Sequence, residues 1–322
     1  MHPAGPLIGI IILMLLILFC LYLRSGWEKE HFKTEFYSIK SDKTLIGARF
    51  IFLSDMHSHE FGEENEKLIS EIDSLAPDCI LIGGDMITCG KRHEDLPRTS
   101  ACIHLCEELA KRYKVIYAEG NHELRFRNRF PEDYQIFMEH LLQNPNLEYI
   151  CDDMVSFSKE SGITEEEDEF DIYGVGLEMD YYMRQKPGFG NKKAMPDGYL
   201  EDKLGRVIRE AGELPGRRFS ILLMHSPLYL KEASHLGMDL VLSGHFHGGT
   251  IRIPGAGGLM TPQLQFFVKE CAGEFEEDGT RMIVSRGLGT HSVKIRLFDR
   301  PEISVIDILP MGGGSAPDYD EL

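Results

Sequence analysis

The sequence predicts an α/β fold, on three observations. Short apolar runs recur along the chain and stop in glycine, aspartate, asparagine, serine or histidine. Segments with helical spacing separate the early runs, and one uncharged apolar stretch stands apart at the N-terminus.

That stretch, "LIGIIILMLLILFCLYL" at 7–23, reads as a single-pass membrane anchor. A helix of this length covers about 25 Å, short of a hydrocarbon core of about 30 Å, and Tyr22 and Arg24 suit the interface at its end. A cleaved signal fits less well, because "MHPAGP" carries no Lys or Arg and no small-x-small site precedes "RSGWEKE". Residues 24–47 read as linker and first strand, with weak alternation in "EHFKTEFYSIK".

A single domain is expected over 48–309. "ARFIFL" is a buried strand, and "NEKLISEIDSLAPD" a helix with Leu68, Ile69, Ile72 and Leu75 on one face, stopped by Pro77. "CILIGGD" is a second strand, "TSACIHLCEELAKRY" a helix, and "KVIYAEGNHE" a third strand. "DEFDIYGVGLEM", "FSILLMHSP", "MDLVLSGHFHGG" and "RMIVSRGLGT" continue the pattern. The stretch 181–202 interrupts it and reads as an inserted loop that could act as a lid; 310–322 reads as an acidic disordered tail.

The net charge of −18 excludes nucleic acid as a stable partner, since neutralising phosphates needs clustered cations. The acidic run "TEEEDEFD" at 164–171 reads as a solvated loop. Seven cysteines without a C-x-x-C pair read as reduced core thiols. Together with Arg24, Lys29 and Lys33 after the span, they point the domain towards the cytoplasm.

Five strand ends carry polar residues: Asp55 and His57, then Asp85, then Asn121 and His122, then His225, then His245 and His247. Sites in α/β sheets form outside the carboxyl ends of strands, so these side chains can converge. If the chain stays extended, Asp55 and His57 project to one side, as do His245 and His247. Mixed oxygen and nitrogen donors suit Mn, Fe or Zn, and the absence of Cys argues against a structural zinc site. Seven ligands exceed the need of one ion, whereas two divalent metal ions about 3.5–4 Å apart and sharing a carboxylate use them all.

The order "DMH", "GD", "GNHE", "H", "GHFH" resembles the calcineurin-like metallophosphoesterases, and "GHFHGGTIRIP" with "SRGLG" resembles their membrane-anchored bacterial branch. Some members of that branch are UDP-diacylglucosamine pyrophosphatases. The resemblance implies a four-layer α/β/β/α sandwich behind an N-terminal transmembrane helix. It assigns Asp55, His57 and His247 to one ion and Asn121, His225 and His245 to the other, with Asp85 bridging. His122 is implied as the catalytic acid facing the leaving group, while a hydroxide between the ions attacks phosphorus in line.

The implied activity is hydrolysis of a phosphodiester or pyrophosphate bond, on a lipid-linked or envelope substrate held beside the bilayer. Two alternatives stand beside it. A phosphomonoesterase or phosphoprotein phosphatase would use Arg125, Arg127 and Arg129 as phosphate clamps. A non-catalytic, metal-stabilised, membrane-tethered binding module would lack a ligand, and none is missing. Branch members often act outside the cytoplasm, opposing the charge and cysteine arguments, so the sequence assigns the chain to the cell membrane but not to a side. Nothing in it assigns an oligomeric state.

Overall fold

Alternate side chains of the apolar runs separate into different cores. In Ala48–Leu53, Phe50 and Phe52 enter one cluster while Ile51 and Leu53 enter another. A strand buried on both faces requires this two-residue repeat. The computed structural model describes residues 4–90, 96–161, 167–182, 193–210, 217–253, 255–261, 265–290 and 294–312.

The first half runs α1 (Ala4–Lys29), β1 (Lys33–Ser41), β2 (Ala48–Leu53), α2 (Glu66–Leu75), β3 (Cys79–Ile82), α3 (Ser100–Ala110), β4 (Lys114–Ala118), α4 (Asn121–Arg129), α5 (Pro131–Leu141) and β5 (Leu147–Ile150). The second runs β6 (Asp153–Glu160), β7 (Glu167–Gly174), α6 (Met179–Tyr182), α7 (Tyr199–Glu210), β8 (Phe219–Leu223), α8 (Leu230–Ser234), β9 (Leu240–Ser243), β10 (Arg252–Ile253), β11 (Gly257–Gly258), β12 (Gly273–Glu277), β13 (Thr280–Val284) and β14 (Glu302–Pro310).

Two six-stranded sheets form, ordered β1-β14-β2-β3-β4-β5 and β12-β13-β9-β8-β7-β6. Strands β2 to β5 are parallel, as are β7, β8, β9 and β13. Phe50, Phe52 and Ile116 of the first sheet share a core with Phe170, Phe219 and Leu242 of the second. The outer face of the first sheet packs on α2, α3 and α5, and that of the second on α6, α7 and α8. The layers are therefore helix, sheet, sheet, helix, as expected. All seven cysteines are free, five of them buried.

The strand at 33–41 pairs with β14 along its whole length, Lys33 opposite Glu302 and Ser41 opposite Pro310. Residues 24–29 continue α1 beyond the apolar span. The side chains of 7–19 are largely exposed, whereas Ser25 and Glu28 are buried against the domain. Ser25 Oγ accepts the Arg296 N–H at 3.1 Å, and Glu28 Oε2 accepts the Asp299 N–H at 3.0 Å. This helix is long and apolar enough to cross a membrane, and its foot is docked on the sandwich.

The acidic run is not simply a solvated loop. From Glu167 it is strand β7, and Asp168 is buried, accepting backbone N–H groups of Leu45 (2.7 Å), Ile46 (2.9 Å) and Gly47 (2.7 Å). One carboxylate thus holds the turn before β2, where three donors converge. Asp168→Ala is expected to destabilise by about 2–3 kcal/mol and lower the melting temperature by several degrees, read in a thermal melt. Of the stretch 181–202, Tyr181, Tyr182, Met195 and Leu200 are buried in the second core, while 183–192 lie outside the described residues. Most of the expected tail, 313–322, lies outside them too.

Candidate metal centre

The carboxyl ends of β2, β3, β4, β8 and β9 meet at one rim of the sandwich and deliver every residue expected there. Asp55, His57, Asp85, Asn121, His122, His225, His245 and His247 are all buried. The backbone does not stay extended, however. Asp55 (φ 53°), His57 (51°), Asp85 (53°), His245 (73°) and His247 (47°) occupy the left-handed region. These turns follow the ends of β2, β3 and β9, within a few residues of the last residue of each strand. Non-glycine residues held there store of order 1–3 kcal/mol each, a cost characteristic of functional sites.

Three groups of possible ligand atoms result: Asp55 with His57 and His247, His57 with Asp85 and His122, and Asp85 with His225 and His245. Within each, all ligand atoms lie within 4.8 Å of one another. Asp85 joins the two ends, its Oδ2 lying 3.9 Å from His57 Nε2 and 3.2 Å from His225 Nε2.

The donor set fits cations, for reasons of proton placement. His247 Nδ1–H donates to Gly289 O (3.1 Å) and His225 Nδ1–H to Gly83 O (2.7 Å). A carbonyl only accepts, so each ring, when neutral, turns a lone pair on Nε2 inward. Those lone pairs face Asp55 Oδ1 at 3.3 Å and Asp85 Oδ2 at 3.2 Å, and His57 and His247 oppose Nε2 to Nε2 at 3.0 Å. Acceptors facing acceptors in a buried site call for positive charge between them. Asp55 Oδ1, Asn121 Oδ1 and His225 Nε2 are also buried without a hydrogen bond.

The electrostatics show the same demand for positive charge. Burial works against a charge on His225, but the Asp85 and Asp55 carboxylates outweigh it and push the ring up to about 10, so the site draws onto Nε2 a proton that a cation would replace. Burial also works against Asp85, yet His225, His122 and His57 hold its carboxyl well below the ordinary range. Burial, reinforced by His225, keeps His245 well below the usual imidazole range and therefore neutral.

Supporting groups position these side chains. Gly84 (φ 89°) and Gly244 are needed for closeness: a Cβ on either would fall 2.3 Å from Gly120 N or 2.1 Å from Ser54 Oγ. Glu123 accepts the N–H groups of Asp85 (2.8 Å), Met86 (2.9 Å) and Gly120 (3.1 Å) and the Tyr117 hydroxyl (2.7 Å). It locks the turn that carries Asp85. His122, for which the sequence shows no orienting carboxylate, is instead held by the Cys89 N–H, which donates to Nδ1 at 2.8 Å. The neutral ring therefore carries its proton on Nε2, 4.0 Å from Asp85 Oδ2.

A third support is Arg296, fully buried, whose guanidinium donates to the carbonyls of Asp299, Arg286, Gly287 and Gly289. Gly289 O is the acceptor for His247. Of the three arginines after "GNHE", Arg125 donates to Cys89 O, Arg127 pairs with Glu119, and Arg129 donates to Gly90 O. Tyr182, from the stretch expected to form a lid, packs its ring 5.3 Å from that of His245.

The family model for calcineurin-like phosphoesterases matches residues 48–249. An uncharacterized metallophosphoesterase of Bacillus subtilis, YkuE, is 37% identical over 95 residues, 30% of this chain and 32% of the relative. A second from the same organism, YkoQ, is 22% identical over 79% of this chain and 81% of its own length. The UDP-2,3-diacylglucosamine pyrophosphatase LpxG of Chlamydia muridarum is 23% identical over 82% of this chain and 84% of its own.

Proposed function

The chain belongs to the calcineurin-like phosphoesterases, and from that premise we propose that it cleaves a phosphodiester or pyrophosphate bond of a lipid-linked substrate, anchored in the cell membrane by α1. The observation that carries the reading is the cluster of buried, inward-turned acceptors from seven side chains. Asp55, His57, His247 and Asp85 would hold one divalent cation, and Asp85, Asn121, His225 and His245 a second, each Mn, Fe or Zn. When bound, such ions supply activated water and neutralise charge on the phosphoryl oxygens.

The chain's own residues do the rest. His225 and His247, braced by backbone carbonyls, present Nε2 without rotation, and Glu123 keeps Asp85 in its strained turn. His122 donates from Nε2 towards the leaving oxygen. His122→Ala should keep the metal content measured by elemental analysis while lowering kcat by about 10²-fold or more for poor leaving groups, and far less for p-nitrophenolate. Equal losses for both would remove His122 from that role.

A monoesterase needs cations to balance the additional phosphate charge, and the engagement of Arg125, Arg127 and Arg129 by protein acceptors favours diester or pyrophosphate cleavage instead. The test is a metal-supplemented screen of the full chain against monoesters, diesters and nucleotide-sugar pyrophosphates. Preference for p-nitrophenyl phosphate over both other classes would overturn the reading.

A further inference from the structure

A cavity of about 650 Å³ opens between the foot of α1 and the His57 side of the metal centre. Lys29 of α1, Arg98 and Lys294 line it together with His57, His59 and Thr88. The chain has 52 acidic against 34 basic side chains, yet among the described residues three cations and a single carboxylate, Glu30, face this space. None of the three cations forms an ion pair among the described residues. His59 adds a buried Nε2 that makes no hydrogen bond. Three cationic side chains are therefore collected beside the reacting centre without a carboxylate partner among the described residues, while Glu30 Oε2 lies 3.8 Å from His59 Nε2.

The height of this cavity follows from the helix. Lys29 lies six residues beyond Leu23, the last residue of the apolar span, which is about 9 Å along the axis. The headgroup layer on each side of a bilayer is roughly 5–8 Å deep, so the wall that Lys29 contributes stands at its outer boundary. The residues around the foot suit that level: Trp27, Ile295 and Phe298 are exposed, with Arg24 over Phe298 at 4.0 Å and Arg300 over Trp27 at 5.4 Å. Because Ser25 and Glu28 are buried on the domain, the helix cannot swing the cavity away from the surface without breaking those bonds.

We propose that this cavity is an anion subsite for a second phosphate of the substrate, one group beyond the bond being cleaved, and that the substrate reaches it from the bilayer that holds α1. The inference rests on the membrane-anchored hydrolase reading above and deepens it. The helix becomes one wall of the binding site as well as a tether.

The test uses the full chain with metals, in phosphatidylcholine vesicles, and the variant carrying Lys29→Ala, Arg98→Ala and Lys294→Ala. Methylenediphosphonate should inhibit hydrolysis of bis(p-nitrophenyl) phosphate by the wild type, and the triple variant should weaken that inhibition at least about tenfold. Methylphosphonate inhibition and hydrolysis of the single-phosphate diester should stay within about threefold. Unchanged inhibition by the diphosphonate overturns the subsite. Hexadecyl diphosphate in the vesicles should inhibit at least about tenfold better than methyl diphosphate in solution at equal total concentration, and equal potency overturns the bilayer route. If the wild type hydrolyses neither the diester nor a nucleotide-sugar pyrophosphate, the hydrolase reading fails. The subsite is then judged by calorimetric binding of methylenediphosphonate to the EDTA-treated chain, where loss in the triple variant supports it and equal binding overturns it.

Discussion

Replacing Asp85 by asparagine is expected to strip most of the metal from the centre and to lower hydrolysis of p-nitrophenyl phosphodiesters by at least about 10³-fold. The substitution changes charge and almost nothing else in shape. Asp85 Oδ1 accepts the His122 N–H at 2.7 Å, a bond that an asparagine oxygen retains, while Oδ2 faces His57, His122 and His225. Only two carboxylates, Asp55 and Asp85, belong to the seven converging side chains; Asp55 lies nearest His247, at 3.3 Å, and Asp85 groups with His57 and His122 on one side and with His225 and His245 on the other. Its loss halves the negative charge available to two divalent ions and puts an NH2 group where an acceptor is required. Elemental analysis of the purified chain reads the metal and a colorimetric assay reads the rate. A melt in EDTA should differ little between the two proteins, which separates loss of metal from loss of fold. A variant with wild-type metal and rate would rule out a shared carboxylate.

The sandwich was legible in the sequence because its physics is local. A strand buried on both faces is a short uninterrupted apolar run, and each run here ends in glycine or a polar residue because the chain turns away at the sheet edge. The polar residues at those ends were visible for the same reason. Their backbone was not: extended alternation aims Asp55 and His57 to one side, but both sit in left-handed turns, a conformation imposed by neighbouring loops. What fills those turns comes from far along the chain. Gly287 lies so close to Asp55 that a Cβ there would approach its Cβ to 2.6 Å.

The supports were hidden by sequence distance or by ordinary chemistry. Glu123 stands in "GNHE" next to His122, yet its four accepted hydrogen bonds depend on the approach of β3 to β4. Burial, together with the Asp85 charge, pushes its carboxyl up to about 7. Asp168 was hidden inside an acidic run whose composition suggests solvent. Ser25 and Glu28 follow a membrane-type segment, where polar residues normally mean interface, and their partners lie 271 residues away.

Arg296 is the least legible of these groups, and its removal should have the second large effect. The side chain ties four carbonyls together, and its own N–H binds Ser25, so one residue joins the foot of α1 to the loop that orients His247. Its guanidinium lies 3.6 Å from the buried Asp299, whose carboxyl is pushed up to about 6 by burial despite Arg296. Arg296→Ala removes a donor from each of those carbonyls and the ion-pair partner of that buried carboxylate, a loss of about 3–5 kcal/mol, or a melting temperature lower by roughly 10 °C. The functional consequence is separate. Without the arginine, Gly289 O is free to shift, and His247 loses the fixed acceptor that turns its Nε2 inward, so metal affinity should fall about 10- to 100-fold in protein that is still folded at low temperature. Arg296→Lys restores the charge but not the planar fork that reaches several carbonyls, and should recover only part of either loss. Circular dichroism at 10 °C establishes the folded fraction, and competition with a chelator gives the metal affinity. A variant that melts early yet binds metal as tightly as the wild type would confine Arg296 to holding the fold, and would break the link from α1 through Gly289 to His247.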